Sequence, residues 1–472
     1  MESEEFIRYA GMFAQWMADY LSNTGSFPVK ADLSPGDVKK KLPINAPETA
    51  ETIDAIFSDF QNLILPGMTH WQHPQFFAYF PASNSEPSIL AEMLTATMGA
   101  QCMVWYTSPA AEELEERMIE WLRDMIGLPK SYTGVIQDTA STATLVSILT
   151  AREKHSNWSI NNDGFSNGKK YRVYSSAFAH SSIDKAVRIA GIGINNLVKV
   201  KSGPDFALDP DELEKVILTD ISNGFHPLCI IATFGTTGST AIDPLEKIGN
   251  LAIKYNCWFH VDAAYAGTAL ILPEVHPLAA GLELADTIVF NPHKWMFTNF
   301  DCSVYLVKDK EALTKTFDIM PDYLKTPHDK LVNNYRDWGI QLGRRFRALK
   351  LWFVIRYYGI EGLQTIIRSH IANAKWFENT IQADPDFELL ASVNFGLVCF
   401  RYHPDSINDE SELNLLNEKL LLKLNESGKI LLTQTKLDGK YTIRMVAGQL
   451  KSSLTDWKQG WQSIKEFSET IG

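Results

Sequence analysis

The chain has 472 residues, 45% hydrophobic and 21% charged, with a formal net charge of −12. This is the composition of a folded protein of two or three domains, and its acidic balance excludes a general basic field for nucleic acid or an anionic membrane. No apolar run is long enough to span a bilayer, the acidic start Met1-Glu2-Ser3-Glu4-Glu5 lacks the regions of a signal peptide, and the five cysteines are scattered without a CxxC pair, so buried free thiols and a cytoplasmic location are expected.

Phe6, Ile7, Met12, Phe13, Trp16, Met17 and Tyr20 recur at helical spacing and predict an amphipathic first helix, stopped by Ser22-Asn23-Thr24-Gly25. A second helix is predicted over 48–64, ended by Pro66-Gly67. Their apolar faces need cover, either from the same subunit or from a second copy, and a homodimer embraced by this arm is the preferred expectation. The run from His70 to Pro81 is densely aromatic, which suits a core or the wall of a pocket for a flat ligand. His70 and His73 are separated by too irregular a segment, with Pro74 following, to suggest a metal site, and no zinc-type spacing recurs, so no metal is expected.

A helix is predicted over 110–125, with Glu112, Glu113, Glu115 and Glu116 crowding its first turns, where they favour the dipole. From Gly134 strands and helices alternate. Val135-Ile136 leads to Gln137-Asp138-Thr139-Ala140-Ser141-Thr142 and a helix over 143–154. The strand 172–175 leads to Ala179-His180-Ser181-Ser182 and a helix through Ile189. Strands 228–234, 257–261, 287–290 and 303–307 follow, the first three ending in Gly235-Thr236-Thr237-Gly238, Asp262-Ala263-Ala264 and Asn291-Pro292-His293-Lys294. Such alternation predicts an α/β fold with a mostly parallel sheet whose strand ends share one edge. Residues 321–330 read as a mobile polar loop, and 343–358 as a long helix ended by Gly359. Beyond it, a strand over 395–401, a Leu-rich helix over 412–425 and a hairpin around Asp438-Gly439 predict a small α+β domain with an antiparallel sheet.

Four features converge on one sheet edge: the hydroxylated helix entrance with Thr139 and Ser141, His180, Asp262 and Lys294. Singly each has a plain reading, the helix entrance as a cap, the histidine as a satisfied core residue, the aspartate as a strand-end cap, the lysine as a solvated side chain. Together they match what pyridoxal 5'-phosphate needs. A lysine of lowered pKa binds its aldehyde, a carboxylate holds its protonated ring nitrogen, an imidazole stacks on the ring, and a helix entrance takes the phosphate.

The motifs FNPHKW (290–295), HVDAAYAG (260–267), AHSS (179–182), LGRRFR (342–347), THW (69–71) and FFAYFP (76–81) resemble the aromatic-L-amino-acid decarboxylases, within the pyridoxal-phosphate group II decarboxylases, over nearly the whole chain. The resemblance implies a fold-type I homodimer with an N-terminal helical dimerisation arm (1–85), a large cofactor domain (86–358) and a small C-terminal domain (359–472). It implies that Lys294 binds the cofactor covalently, Asp262 pairs with the pyridine nitrogen, His180 stacks over the ring and Ala264 lies beneath it. Ala140, Ser141, Asn291 and His293 would hold the phosphate, with Thr237 nearby. Tyr323 falls at the position of the family's proton-donating loop tyrosine.

Trp71, Phe80 and Pro81 would form an aromatic wall for the substrate, with Gln101 and Met103 lining the pocket from the partner subunit. Gly343 stands where serine marks histidine- or tyrosine-preferring relatives, and glycine leaves room for a large ring such as indole. Aldehyde-forming relatives tend to replace the loop tyrosine or the stacking histidine. Tyr323 and His180 therefore favour simple decarboxylation to an arylalkylamine and CO2, ahead of an aldehyde synthase or a non-catalytic homologue. The substrates implied are tryptophan, 5-hydroxytryptophan, dihydroxyphenylalanine, tyrosine or phenylalanine. The chain departs from the family at Asp138 and Thr142 near the phosphate end, at Ala82, and at Gln101, which is polar where animal relatives are apolar.

Overall fold

A computed structural model describes residues 1–166, 168–319, 328 and 331–471. Among these, seven strands form one sheet: β1 (Thr133–Gln137), β2 (Lys170–Ser176), β3 (Leu197–Val200), β4 (Phe225–Thr233), β5 (Trp258–Asp262), β6 (Thr287–Phe290) and β7 (Ser303–Val307). Their order is β1-β7-β6-β5-β4-β2-β3. The five from β3 to β6 run parallel. β7 is antiparallel to β6, and β1 is antiparallel to β7, so β1 regains the common direction. The reversal at β7 is new relative to the sequence expectation. β7 is buried throughout, like its parallel neighbours, and a strand buried on both faces carries no mark of direction. The C-terminal ends of β1, β2, β4, β5 and β6 and the start of β7 thus meet along one edge.

The helix Ala140–His155 crosses β4, β5, β6 and β7. Polar contacts set its register. Ser147 Oγ accepts from Trp258 Nε1 at 3.0 Å, and Thr144 Oγ1 meets His260 Nε2 at 3.2 Å. Going back along the helix therefore means going forward along β5, and the next step brings the helix entrance towards Asp262.

The helix Pro109–Met125 uses its acidic residues differently from the expected dipole role. Glu115 is buried with Arg344 at 2.6 Å, their side chains 3% and 6% exposed. Its Oε1 also accepts the Ile136 N–H at 2.7 Å. The late helix starts at Arg347, not at Gly343, because the backbone of Arg344 is engaged elsewhere: its C=O accepts from Cys102 N–H and its N–H donates to the Gln101 side chain. Gly359 leaves helical geometry (φ 64°, ψ 171°), but helix resumes beyond it as far as Ala383.

By contact the chain forms two compact units: Ala82–Ala374 with Ala391–Cys399, and Met1–Pro81 with Lys375–Leu390 and Phe400–Gly472. The N-terminal segment thus groups with C-terminal segments. Within that unit the helix Ser3–Asn23 packs on the helix Ile53–Asp59 through Phe13, Trp16 and Phe57, while Phe6 and Ile7 stay exposed. Phe76 and Phe77 are fully buried, Phe77 bonding to Leu431 and Val446 of the backbone, so that half of the aromatic run is core. His70 bonds Tyr20 Oη at 2.8 Å, and His73 Nδ1 accepts the Gln75 N–H. The strands β8 (Phe387–Leu389), β9 (Leu397–Tyr402), β10 (Thr433–Leu437) and β11 (Lys440–Val446) form the small sheet in the order β10-β11-β9-β8. Its hairpin turns at Asp438-Gly439, both at positive φ.

Removing Glu115 leaves the Arg344 guanidinium buried and uncompensated and the Ile136 N–H without its carboxylate. Glu115→Ala should therefore cost about 3–5 kcal/mol in urea unfolding; a midpoint equal to the parent's would contradict this role for the pair.

Candidate active site

β5 ends in Asp262, which is 5% exposed. Its Oδ1 accepts the Ala264 N–H at 3.0 Å, and its carbonyl accepts the Phe234 N–H at 2.9 Å, tying the end of β5 to the chain leaving β4. There Gly235 has φ +88°, and a Cβ on it would lie 2.7 Å from that of Ala266. Only glycine fits so close a turn. Thr237 follows in the same turn, half-buried.

β6 delivers the lysine. Asn291 N–H donates to Ala264 O, and Lys294 N–H donates to Asn291 O at 2.9 Å, so a single short turn, Pro292–Trp295, presents Lys294 half-buried at the edge. Ser303 Oγ at the start of β7 bonds Asn291 Oδ1 at 2.6 Å. His293 is buried. Its Nδ1 accepts the Cys302 N–H at 3.0 Å, and burial, with Lys294 next to it, pushes its pKa down to about 3. The ring is neutral, with its proton on Nε2.

His180 follows β2. Its Nδ1 accepts the Ser182 N–H at 3.1 Å and lies 2.8 Å from Ser182 Oγ, which leaves the proton of the neutral ring on Nε2. Part of the ring is open to solvent, yet desolvation lowers its pKa, aided by Lys294 and Lys185 and opposed by Asp262. Lys294, Asp262 and His180 therefore sit within electrostatic reach of one another.

At the helix entrance, the Thr139 side chain caps Thr142 N–H at 3.4 Å. Ala140 is half-buried and Ser141 exposed, and their N–H groups meet no acceptor among the described residues. Asp138 turns back on its own loop, its Oδ1 accepting Thr139 N–H at 2.6 Å, which spends the carboxylate locally. Two buried hydroxyls at the same edge, Ser83 Oγ and Thr233 Oγ1, also lack a partner among the described residues. Ser83 N–H donates to His293 O, placing it beside the lysine turn. Open donors at a helix start, orphaned hydroxyls, a buried carboxylate and an accessible lysine suit an anionic, ring-bearing, aldehyde-carrying group such as pyridoxal phosphate.

Trp71, Phe80 and Pro81 belong to the other unit. There Trp71 stacks on Tyr79 and packs at a tilt against Phe76, the Arg444 guanidinium lies 5.3 Å from the Phe80 ring, and Pro81 packs on Gly448. Gln101, Met103 and Gly343 come together within one chain: Gln101 Oε1 accepts the Arg344 N–H, and Met103 O accepts the Arg336 N–H. Tyr323 lies outside the described residues.

His260 had no role in the sequence reading. Strand period two puts it on the face of Asp262, and it is fully buried between Thr144 Oγ1 and Thr287 Oγ1, the latter at 2.9 Å. Burial pushes its pKa down to about 4. A histidine depressed in the fold is protonated first in the unfolded chain, so its contribution is full above about pH 6.5 and falls on acidification towards the folded value. Between pH 7 and 5 the parent should lose about 2 kcal/mol more stability than His260→Asn; equal acid sensitivity in urea titrations would contradict a neutral, buried His260.

Comparison with known proteins agrees with this site. Residues 35–403 match the pyridoxal-dependent decarboxylase conserved domain. Tyrosine decarboxylase 3 of Petroselinum crispum is 40% identical, over 100% of this chain and 93% of its own length. Phenylacetaldehyde synthase of Arabidopsis thaliana is 41% identical, over 99% and 96%. The solved structure of Oryza sativa TDC with PLP and tryptamine superposes with a TM-score of 0.96 at 34% identity, over 100% of this chain and 99% of that one. The chain belongs to the pyridoxal-phosphate-dependent group II decarboxylases of the aromatic-amino-acid family, fold-type I carboxy-lyases whose close relatives include both decarboxylases and aldehyde synthases.

Proposed function

We propose that this protein decarboxylates an aromatic L-amino acid, among tryptophan, 5-hydroxytryptophan, dihydroxyphenylalanine, tyrosine and phenylalanine, to the arylalkylamine and CO2. The carrying observation is the meeting of Lys294, Asp262 and His180 at one strand-end edge. Bound pyridoxal phosphate supplies a ring that accepts the electron pair left by departing CO2.

The chain's own groups divide the remaining work. Lys294 supplies the amine that holds the cofactor's aldehyde. Asp262, buried at the end of β5, would keep a proton on the ring nitrogen. His180 covers one ring face with its Nε2–H available, and Ala264 covers the other. Ala140, Ser141, Asn291 and His293 take the phosphate, with Ser303 fixing the Asn291 amide and Cys302 fixing the His293 tautomer. Thr237 lies beside the cofactor. Trp71, Phe80, Pro81, Gln101, Met103 and Gly343 shape the substrate pocket, and Tyr323 returns a proton to the α-carbon.

A homodimer is part of the proposal, with the 1–85 arm, the 86–358 cofactor domain and the 359–472 small domain in each copy. Leu90, Leu94 and Met98 are exposed along the helix Glu86–Met98, and Tyr106 and Leu342 are exposed near Gln101 and Gly343, a surface that a second copy would cover. Five buried free cysteines support a reducing, cytoplasmic setting, and among the described residues no helix is long and apolar enough to cross a membrane.

Product analysis on the aromatic amino acids tests the chemistry. Amine stoichiometric with CO2 and no peroxide is expected; aldehyde with ammonia would assign the aldehyde synthase instead. Tyr323→Phe should cut amine formation by about 10²-fold or more and raise aldehyde, and an unchanged product ratio would remove Tyr323 from the protonation step.

A further inference from the structure

Gln101 is held in one orientation by geometry that the backbone imposes. An N–H can only donate, so the side-chain atom 2.7 Å from Arg344 N is the amide oxygen. The amide nitrogen must then point the other way. It lies 3.0 Å from where a Cβ of Gly343 would stand, and it meets no acceptor among the described residues. The segment is otherwise fixed as well: Gln101 O accepts from Ser108 Oγ at 2.8 Å, and Cys102 N–H donates to Arg344 O at 3.0 Å.

This clamp lies at the reactive edge of the sheet. Arg344 Nη2 donates to Ile136 O near the end of β1, and Gln137 Nε2, at that end, donates to Trp338 O. β1 ends at the same edge as β5 and β6. Arg347 pairs with Asp301, which follows Phe300, and the Phe300 ring packs 4.7 Å from that of His293. Gln101 and Gly343 are exposed in the single chain.

We propose that Gln101 is a specificity-determining residue that selects aromatic amino acids bearing a ring hydroxyl, its oriented Nε2–H donating to that oxygen across the space Gly343 leaves open. The inference rests on the decarboxylase reading above. This donor is open to water in the single chain, so a substrate ring that covers it is favoured when it supplies an acceptor and penalised when it presents a C–H. The same geometry couples the two positions, because any side chain at 343 must displace the Gln101 amide.

The test compares kcat/KM of the full-length holoenzyme for tyrosine against phenylalanine, and 5-hydroxytryptophan against tryptophan, by amine release. The parent should prefer the hydroxylated member of each pair. Gln101→Met, similar in length without a donor, should reduce both preferences by about fivefold; each ratio is taken on one preparation, so a loss of folded enzyme cancels. Gly343→Ala should lower kcat/KM, and Gln101→Ala in the same chain should restore part of it. Amine formation with unchanged substrate ratios in Gln101→Met, or independent effects at 101 and 343, overturns the proposal alone. No amine from any of the four substrates overturns the decarboxylase reading, and this proposal with it.

Discussion

A buried carboxylate at the end of a parallel strand is the constraint on which the site depends. Asp262 is removed from water, and His260, two residues before it on the same strand face, is held neutral by burial while bonded to two threonine hydroxyls. A carboxyl group so placed favours a positive partner in the open direction. The sheet edge faces that direction, and there the chain sets Lys294, the His180 ring and a helix entrance.

The helix Ala140–His155 converts this local demand into a defined site. Its Ser147 and Thr144 meet Trp258 and His260 in succession, so its register against β5 is set by polar contacts in the core and not by apolar packing alone. Ser147 and His260 also meet Thr287 of β6, the strand that carries Lys294. One buried polar chain thus locks the helix entrance, the aspartate and the lysine strand together, which is the rigidity a cofactor enzyme needs. The three site histidines differ in surroundings but agree in charge: each is driven towards the neutral form by burial.

Much of this was legible in the chain. The apolar runs ending in Asp262 and before Lys294 marked strands, and placing both residues just past strand ends brought them to one edge. What escaped the sequence has physical reasons. The reversal of β7 leaves no periodic signature, since a strand buried on both faces reads the same in either direction. Glu115 looked like a helix-dipole residue because its partner, Arg344, is 229 positions away. Asp138 looked like a misplaced charge near the phosphate end until its bond to the Thr139 N–H accounted for it. Residues 343–346 fit a helical pattern, yet the bonds of Arg344 to Gln101 and Cys102 take them out of it. His260 was visible through its two-residue spacing from Asp262, but its neutrality comes from complete burial, which only the packed elements around it create.

The central claim is that Lys294 is the amine that holds the cofactor at this edge. Borohydride reduction of the holoenzyme, digestion and peptide mass mapping test it directly. The account predicts a single reduced pyridoxyl adduct, on Lys294. An adduct on another lysine, or a holoenzyme that borohydride leaves unlabelled, would contradict it.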